Sequence, residues 1–177
     1  MKSEIITVDS HGTGFPDVIR EAKKVAEYGD LTKREFLHLQ LLTEEMLSLV
    51  NSLSEDIQCT LWFECENRQY NLHLTTKTVL DKEMRYRLIS SSSSGKNEAA
   101  NTFLGRLRDR FEYAIASDGY CESSDLPSEL MSDLPADAVD DPEWDGYERS
   151  ILRNVADDVK ISIRRGVVDM TVSKKYA

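Results

Sequence analysis

The sequence lacks any hydrophobic run that could cross a membrane, since no stretch approaches the roughly 18 consecutive apolar residues that a bilayer-spanning helix needs. Cysteine is scarce: the 3 thiols are an odd number and do not have metal-ligand spacing. Two of them, Cys59 and Cys65, share the parity of apolar positions in one predicted strand, which indicates core thiols in a reducing compartment. The first residues show no signal-peptide pattern. We therefore expect a cytoplasmic protein without a membrane segment.

The motifs of common enzyme classes are also missing. The 3 histidines are far apart, without His-x-x-x-His or Cys/His spacing, which predicts that the chain has no metal site. No Gly-x-Ser-x-Gly nucleophile elbow occurs. The stretch from Ser90 to Lys96 ends in Gly-Lys, but it lacks the first glycine of a P-loop and no strand leads into it. We interpret this stretch as a flexible serine linker.

Basic residues are absent between Ser117 and Tyr147, where ten acids occur. The net charge is −10, and outside this segment the remaining 22 of the 32 acids balance 22 lysines and arginines. An acidic surface argues against sequence-independent nucleic-acid binding, which needs cations for the phosphates. We predict a single domain, 1–177, in which 117–145 is an acidic, flexible, lid-like insertion. The segment could simply be a solvated loop. Two functional alternatives are a regulatory lid and a docking strip for a basic protein partner.

The hydrophobic periodicity predicts an α+β fold. Helical and strand patterns alternate in groups, and the strand patterns switch between apolar and polar residues. This grouping favours a two-layer sandwich, in which a mixed or antiparallel sheet carries helices on one face and meets water on the other. The predicted strands are 5–8, 57–66, 69–77 and a closing hairpin over 159–172; the predicted helices are 16–28, 32–53, 81–89, 97–115 and 147–156.

Two adjacent carboxylates, Glu44 and Glu45, interrupt the most apolar predicted helix. Apolar residues recur at spacings of three and four from Phe36 to Leu53, and Leu37 widens the stripe, which predicts that this helix is buried. Burying an unpaired carboxylate is costly, so at least one should face a cleft or a partner, unless both lie on the wet side. In the functional alternative, one orients a water for attack on a phosphate or helps hold a magnesium-bound nucleotide.

Residues 41–48, which read Leu-Leu-Thr-Glu-Glu-Met-Leu-Ser, resemble the glutamate-containing helix of Bergerat-fold ATP-binding domains. This is the family of histidine kinases, gyrase and, closest in size, the anti-sigma-factor serine kinases. The tail that begins at Gly146 resembles the family's glycine-box helix and last two strands. The resemblance implies a Bergerat-like sandwich that binds ATP with Mg²⁺. Glu44 would be the catalytic glutamate, Glu45 and Ser48 would lie beside the nucleotide, Gly146 would approach the phosphates, and 78–143 would replace the ATP lid.

The chain departs from that family at two positions. Ser48 stands where the family has a magnesium-binding asparagine, and Asn51 follows Glu44 by seven residues, about two turns along the helix, too far to substitute. After the strand at 69–77, the family's Asp-x-Gly-x-Gly is replaced by a run to Asp81 that contains no glycine. We therefore expect a degenerate nucleotide-binding regulatory domain with little or no kinase or ATPase turnover.

Two other functions stay open. The first is a non-enzymatic interaction module on the same fold, which docks a partner through the acidic segment. The resemblance implies a partner with a basic surface, such as a sigma-factor-like regulator, and a homodimer is also open. The second is a small hydrolase with Glu44 or Glu45 as its base, for which no motif gives support.

Overall fold

The computed structural model describes residues 1–53, 56–100, 152 and 154–177. Strands and helices occur in the groups that the periodicity predicted, and most boundaries agree within two residues. A short 3₁₀ turn, Glu98–Ala100, follows the third helix. The main elements are β1 (Ile6–Asp9), α1 (Phe15–Tyr28), α2 (Lys33–Leu53), β2 (Gln58–Glu66), β3 (Gln69–Lys77), α3 (Lys82–Ser91), β4 (Asp158–Arg164) and β5 (Val167–Lys175).

The five strands form one sheet in the order β1-β2-β3-β5-β4. Every pair of described strands is antiparallel. The sequence had predicted either a mixed or an antiparallel sheet. Two-residue turns close both hairpins: Asn67 and Arg68 have φ of 50° and 60°, and Arg165 and Gly166 have φ of 53° and 73°. Such left-handed turns match the twist of the flanking strands. The pairing of β3 with β5 joins the two hairpins.

One face of the sheet is buried and the other meets water, as the alternation predicted. On the outer face polar residues such as Thr60 and Asn71 are partly exposed. Since successive side chains of a strand point to opposite faces, both patterns follow from the sequence. The buried face includes Leu61, Phe63, Leu72, Leu74, Ile161, Ile163, Met170 and Val172.

Helix α1 begins at a close approach between the backbone and β1. A Cβ on Gly14 would lie 2.3 Å from the Thr7 carbonyl oxygen, and Gly14 has φ of +79°, so only glycine fits there. Pro16 occupies the first turn, where its missing N–H costs nothing. The helix buries Val18 and Val25, and it contacts β1, β2 and α2.

Helix α2 buries the predicted apolar stripe. Leu39, Leu42, Met46 and Val50 have no solvent exposure. The predicted widening of the stripe is wrong at Leu37, which is 52% exposed. Leu37 precedes Leu39 by two residues, about 200° around the helix, and therefore projects away from the core.

The interpretation of Ser90 to Lys96 as a flexible linker is wrong. Helix α3 continues through Ser91, and Ser92 follows as its C-cap with no solvent exposure. The hydroxyl of Ser91 donates to the Leu88 carbonyl at 2.7 Å, and that of Ser92 donates to the Ile89 carbonyl at 2.7 Å. Serine hydroxyls thus bind the last carbonyls of the helix, which have no partner within the helix.

The residues after α3 cover the outer edge of β4. The backbone N–H of Ser93 donates to the Val159 carbonyl at 2.8 Å, and its hydroxyl accepts from the Val159 N–H at 2.7 Å. The amide of Asn97 donates to the Ile163 carbonyl at 2.9 Å and accepts from the Ile163 N–H at 2.8 Å. Because an edge strand exposes backbone groups without partners, these contacts satisfy four such groups of β4.

Some predictions fall on residues that are not described. These are the continuation of the helix at 101–115, the acidic segment 117–145, and Gly146. Leu152, Asn154 and Val155 are helical, as predicted for 147–156, and Leu152 is only 2% exposed. Within the described parts of the chain, no helix has the length and apolar character to cross a membrane.

Candidate functional site

Glu44 and Ser48 lie one turn apart on the same side of α2. The i, i+4 spacing brings their side chains together on the helix surface. They lie about 140° and 180° around the helix from the fully buried Leu39. Glu44 is exposed and Ser48 is half-buried. The face that the resemblance assigns to a nucleotide is therefore directed away from the buried stripe.

One neighbouring side chain orients the carboxylate of Glu44. The amide of Gln40, one turn earlier, donates to its Oε1 at 2.8 Å. A carboxylate has about four lone-pair sites, so most of its accepting capacity stays directed to solvent. An exposed carboxylate held in this way can accept from a water or help coordinate a hard cation, which are the two roles that the resemblance implies.

Glu45 is a helix neighbour of Ser48, three residues before it and about 60° away around the helix, rather than of Glu44. It follows Glu44 by one residue, about 100° around the helix, and is half-buried. On the other side of Glu44, the buried hydroxyl of Thr43 donates to the Leu39 carbonyl at 2.7 Å. Of the predicted cofactor-binding residues on α2, Ser48 alone shares the side of Glu44.

Polar groups where β3 leads into α3 are engaged within the fold. The hydroxyl of Thr76 donates to the Gln58 carbonyl at 2.7 Å. Asp81 is the N-cap of α3 and accepts from the Met84 N–H at 2.7 Å. The first acid after β3 therefore stabilises a helix start, which is a typical role for aspartate there.

A polar cluster on the open sheet face was missed by the sequence analysis. The rings of Trp62 and His73 stack with centroids 4.9 Å apart. Glu64 accepts from the Trp62 indole at 3.2 Å and pairs with Lys2 at 3.1 Å, and its carboxylate lies 3.4 Å from His73. Burial lowers the pKa of His73, whose ring also contacts the Thr171 hydroxyl at 3.1 Å. Alternation placed these residues on one face, but only the strand register makes them neighbours.

A second missed cluster closes one end of the sheet. Tyr70 and Tyr176 meet edge to face with ring centroids 5.4 Å apart, and Arg68 pairs with Glu35 at 2.8 Å. A Cβ on Gly29 would lie 1.7 Å from the Tyr70 hydroxyl oxygen. Burial raises the pKa of both tyrosines, since ionising either would place a charge away from water. We call these residues the closed end.

The distance between Glu44 and Gly146 stays a prediction, because Gly146 lies outside the described residues. Within the described ranges, no group of three or more His, Cys, Asp and Glu side chains is arranged to hold a metal ion. The candidate site is thus the Glu44–Ser48 side of α2. In comparisons with known proteins, no family model and no curated protein matches the chain.

Proposed function

We propose that this chain is a regulatory domain that binds a nucleotide beside α2 and turns it over slowly or not at all. The supporting observation is that Glu44 and Ser48 share one side of α2, away from the buried stripe, with Glu44 oriented by Gln40. The order of elements and the antiparallel sheet are compatible with an α+β sandwich, the fold class that the resemblance implies.

The Glu44 carboxylate and the Ser48 hydroxyl are oxygen groups that can bind a magnesium-bound triphosphate with low affinity. Mg²⁺ prefers oxygen ligands and keeps several waters, so a carboxylate with a neighbouring hydroxyl can hold it through those waters. A bound magnesium nucleotide would supply charge neutralisation between its phosphates and Glu44. Ser48 is shorter than asparagine and lacks a carbonyl oxygen, which accounts for low affinity in this proposal.

The base should be recognised without selectivity. The acid nearest to the adenine-reading position, Asp81, is engaged by the Met84 N–H. A site that lacks an oriented acceptor for the adenine amino group discriminates poorly against guanine. We therefore expect ATP and GTP to bind with similar affinity.

Thermal unfolding with and without Mg²⁺ tests the proposal. At ten times the dissociation constant, a ligand adds about 1.4 kcal/mol of stability. For a chain of this size that corresponds to a rise in Tm of about 3–5 °C. We expect Ser48→Asn, which restores the family's Glu-x-x-x-Asn spacing, to bind ATP·Mg²⁺ several-fold more tightly, and Glu44→Gln to lose the magnesium-dependent part of the shift.

The matched control is Glu27→Gln, an exposed glutamate on α1, which should behave as the wild type. Equal shifts with and without Mg²⁺ in all variants would place the ligand elsewhere. If neither the wild type nor Ser48→Asn responds to millimolar nucleotide, the nucleotide proposal is wrong.

A non-enzymatic interaction module is the second candidate, and the absence of the family's Asp-x-Gly-x-Gly after β3 and of its magnesium-binding asparagine at position 48 favours it. In this case the acidic segment docks a basic-surfaced partner. Deletion of 117–145 should then abolish capture of that partner, and added salt should weaken capture in the intact chain. Salt-independent capture that survives the deletion would exclude this role for the segment.

A further inference from the structure

Three exposed cations meet at the end of the sheet opposite the closed end. Val167, the first residue of β5, pairs with Lys77 on β3 and with Arg164 on β4. Neighbouring strands lie about 4.8 Å apart, so Lys77 and Arg164 flank Val167 on the open face of the sheet. Arg165 follows in the turn, and all three cations are exposed. We call this surface, together with Val79, the basic tip.

The cations of the basic tip have no ion-pair partner among the described residues. The nearest acid along β5 is Asp169, and it accepts from the Thr75 hydroxyl at 2.6 Å. By contrast, two other cations of the sheet are paired: Lys160 with Asp158 at 3.4 Å and Lys174 with Asp157 at 2.7 Å. The basic tip thus presents positive charge that the described fold does not neutralise.

An apolar side chain projects from the same surface. Val79 is 94% exposed, the highest value among the large hydrophobic residues of the described chain. The preceding residue, Thr78, donates its N–H to the Gly166 carbonyl at 2.8 Å. This bond holds the residues after β3 against the turn between β4 and β5. Exposed apolar groups rimmed by charge are typical of interaction sites.

The backbone at Arg165 is strained, and no side-chain ion pair with a described residue offsets that strain. A two-residue turn of this type favours Asn-Gly, and a side chain at positive φ is disfavoured. Arg165 has φ of 53°. In the other hairpin, Arg68 has φ of 60° but binds Glu35 at 2.8 Å. A strained residue whose side chain has no stabilising ion pair in the described chain suggests that the side chain binds another molecule.

We propose that the basic tip docks an acidic protein segment that also carries an apolar side chain. Guanidinium groups bind carboxylates through paired hydrogen bonds, which suits Arg164 and Arg165. An apolar residue of the partner would pack on Val79 and Val167. The exposed Val79 offers an apolar contact that a phosphate backbone does not use, which favours a protein segment over a nucleic acid as the occupant. None of these residues lies on α2, so the proposal is independent of nucleotide binding.

Fluorescence anisotropy with two synthetic peptides tests the proposal on the full chain. One probe is a peptide of alternating acidic and leucine residues, and the other has serine in place of every leucine. We expect the wild type to bind the leucine peptide several-fold more tightly, with an affinity that falls as salt is added. Arg165→Asn should weaken binding at least about five-fold without lowering Tm, because asparagine suits the turn.

Two further variants complete the design. Val79→Ser should bind both peptides equally, since the apolar contact is removed. Arg34→Gln, which changes an exposed arginine of α2, should stay within about two-fold of the wild type and so controls for net charge. Unchanged binding by Arg165→Asn would overturn the proposal, as would tighter binding of a single-stranded RNA 12-mer than of the leucine peptide at equal salt.

Discussion

The two hairpin turns of the sheet place an arginine in the same left-handed backbone conformation but in different surroundings. At the closed end, Arg68 pairs with Glu35, and Tyr70 packs over Gly29. At the basic tip, Arg165 extends into solvent without an ion pair in the described chain. The closed end therefore contributes contacts within the fold, whereas the basic tip is the surface that we propose docks a partner. Four substitutions test this difference.

Gly29→Ala should have the largest effect, because it introduces a Cβ 1.7 Å from the Tyr70 hydroxyl and 2.9 Å from its ring carbon Cζ. Overpacking of this kind is expected to cost about 3 kcal/mol of unfolding free energy or more. Urea unfolding measures it. Tyr70→Phe should restore part of the loss in the double variant.

Gly95→Ala is the matched control for this change. A Cβ there meets no atom within 4 Å, and only the φ of +63° opposes it. That backbone penalty is about 1 kcal/mol. Equal losses at the two glycines would show that the closed end is not tightly packed.

Asn97→Ala tests how the basic tip is fastened to the sheet. It removes both side-chain hydrogen bonds to the backbone of Ile163, the residue before Arg164. It also removes a third bond, because the Asn97 Oδ1 accepts from the Ala99 N–H at 3.1 Å. Loss of these three bonds to backbone groups should cost about 2–3 kcal/mol together. Asn97→Asp keeps the acceptor for the Ile163 N–H, but it buries a carboxylate against the Ile163 carbonyl and should lose at least as much at neutral pH. A loss below about 0.5 kcal/mol for the alanine variant would mean that water replaces Asn97.

Glu35→Gln tests the pH dependence of the closed end. Hydrogen bonds from the backbone N–H and hydroxyl of Thr32, and then Arg68, lower the pKa of Glu35 from its ordinary 4.5. A carboxyl with a lowered folded-state pKa stabilises the fold above about pH 4.5 and loses that contribution as the pH falls through the lowered value. The Tm difference between wild type and variant should therefore be full at pH 6 and vanish near pH 2.

The variant Arg68→Met gives this experiment an internal check. Thr32 still donates to Glu35 in it, so part of the pH dependence should remain. Complete loss of the pH dependence in Arg68→Met would assign the whole effect to the ion pair. That result would contradict the larger contribution of Thr32 to the lowered pKa of Glu35.

Arg165→Asn should have the smallest effect on stability and the opposite sign. Asparagine tolerates positive φ, so the turn should gain a few tenths of a kcal/mol, up to about 0.5. Guanidinium chloride unfolding, repeated to resolve a difference of this size, provides the measurement. A clear loss of stability would show that Arg165 makes a contact that holds the fold together.

Local patterns predicted much of the fold. Alternation in β2 and β3 identified the first hairpin and its turn at Asn67, and spacings of three and four identified the buried stripe around Leu42. These local patterns did not predict the strand order, because the pairing of β3 with β5 joins residues almost 100 positions apart. The serine stretch was misinterpreted because composition alone does not show that Ser93 and Asn97 supply hydrogen bonds to a distant strand.

The candidate site was predicted less completely. Helical geometry placed Glu44 and Ser48 together, as the structure also does, but it did not show that Gln40 orients the carboxylate. The N-cap role of Asp81 could have been inferred from the helix that follows it. The basic tip had no sequence signal as a cluster, since Lys77 and Arg164 become neighbours only through their shared partner Val167.

Amide chemical shifts of the full chain, titrated with ATP and Mg²⁺, show directly whether a nucleotide binds beside Glu44. We expect saturable shifts at residues 44–51 of α2, larger with Mg²⁺ than without it, and little change at Lys77 or Arg164. An α2 that does not respond to millimolar ATP, or shifts confined to the basic tip, would contradict a nucleotide site beside Glu44.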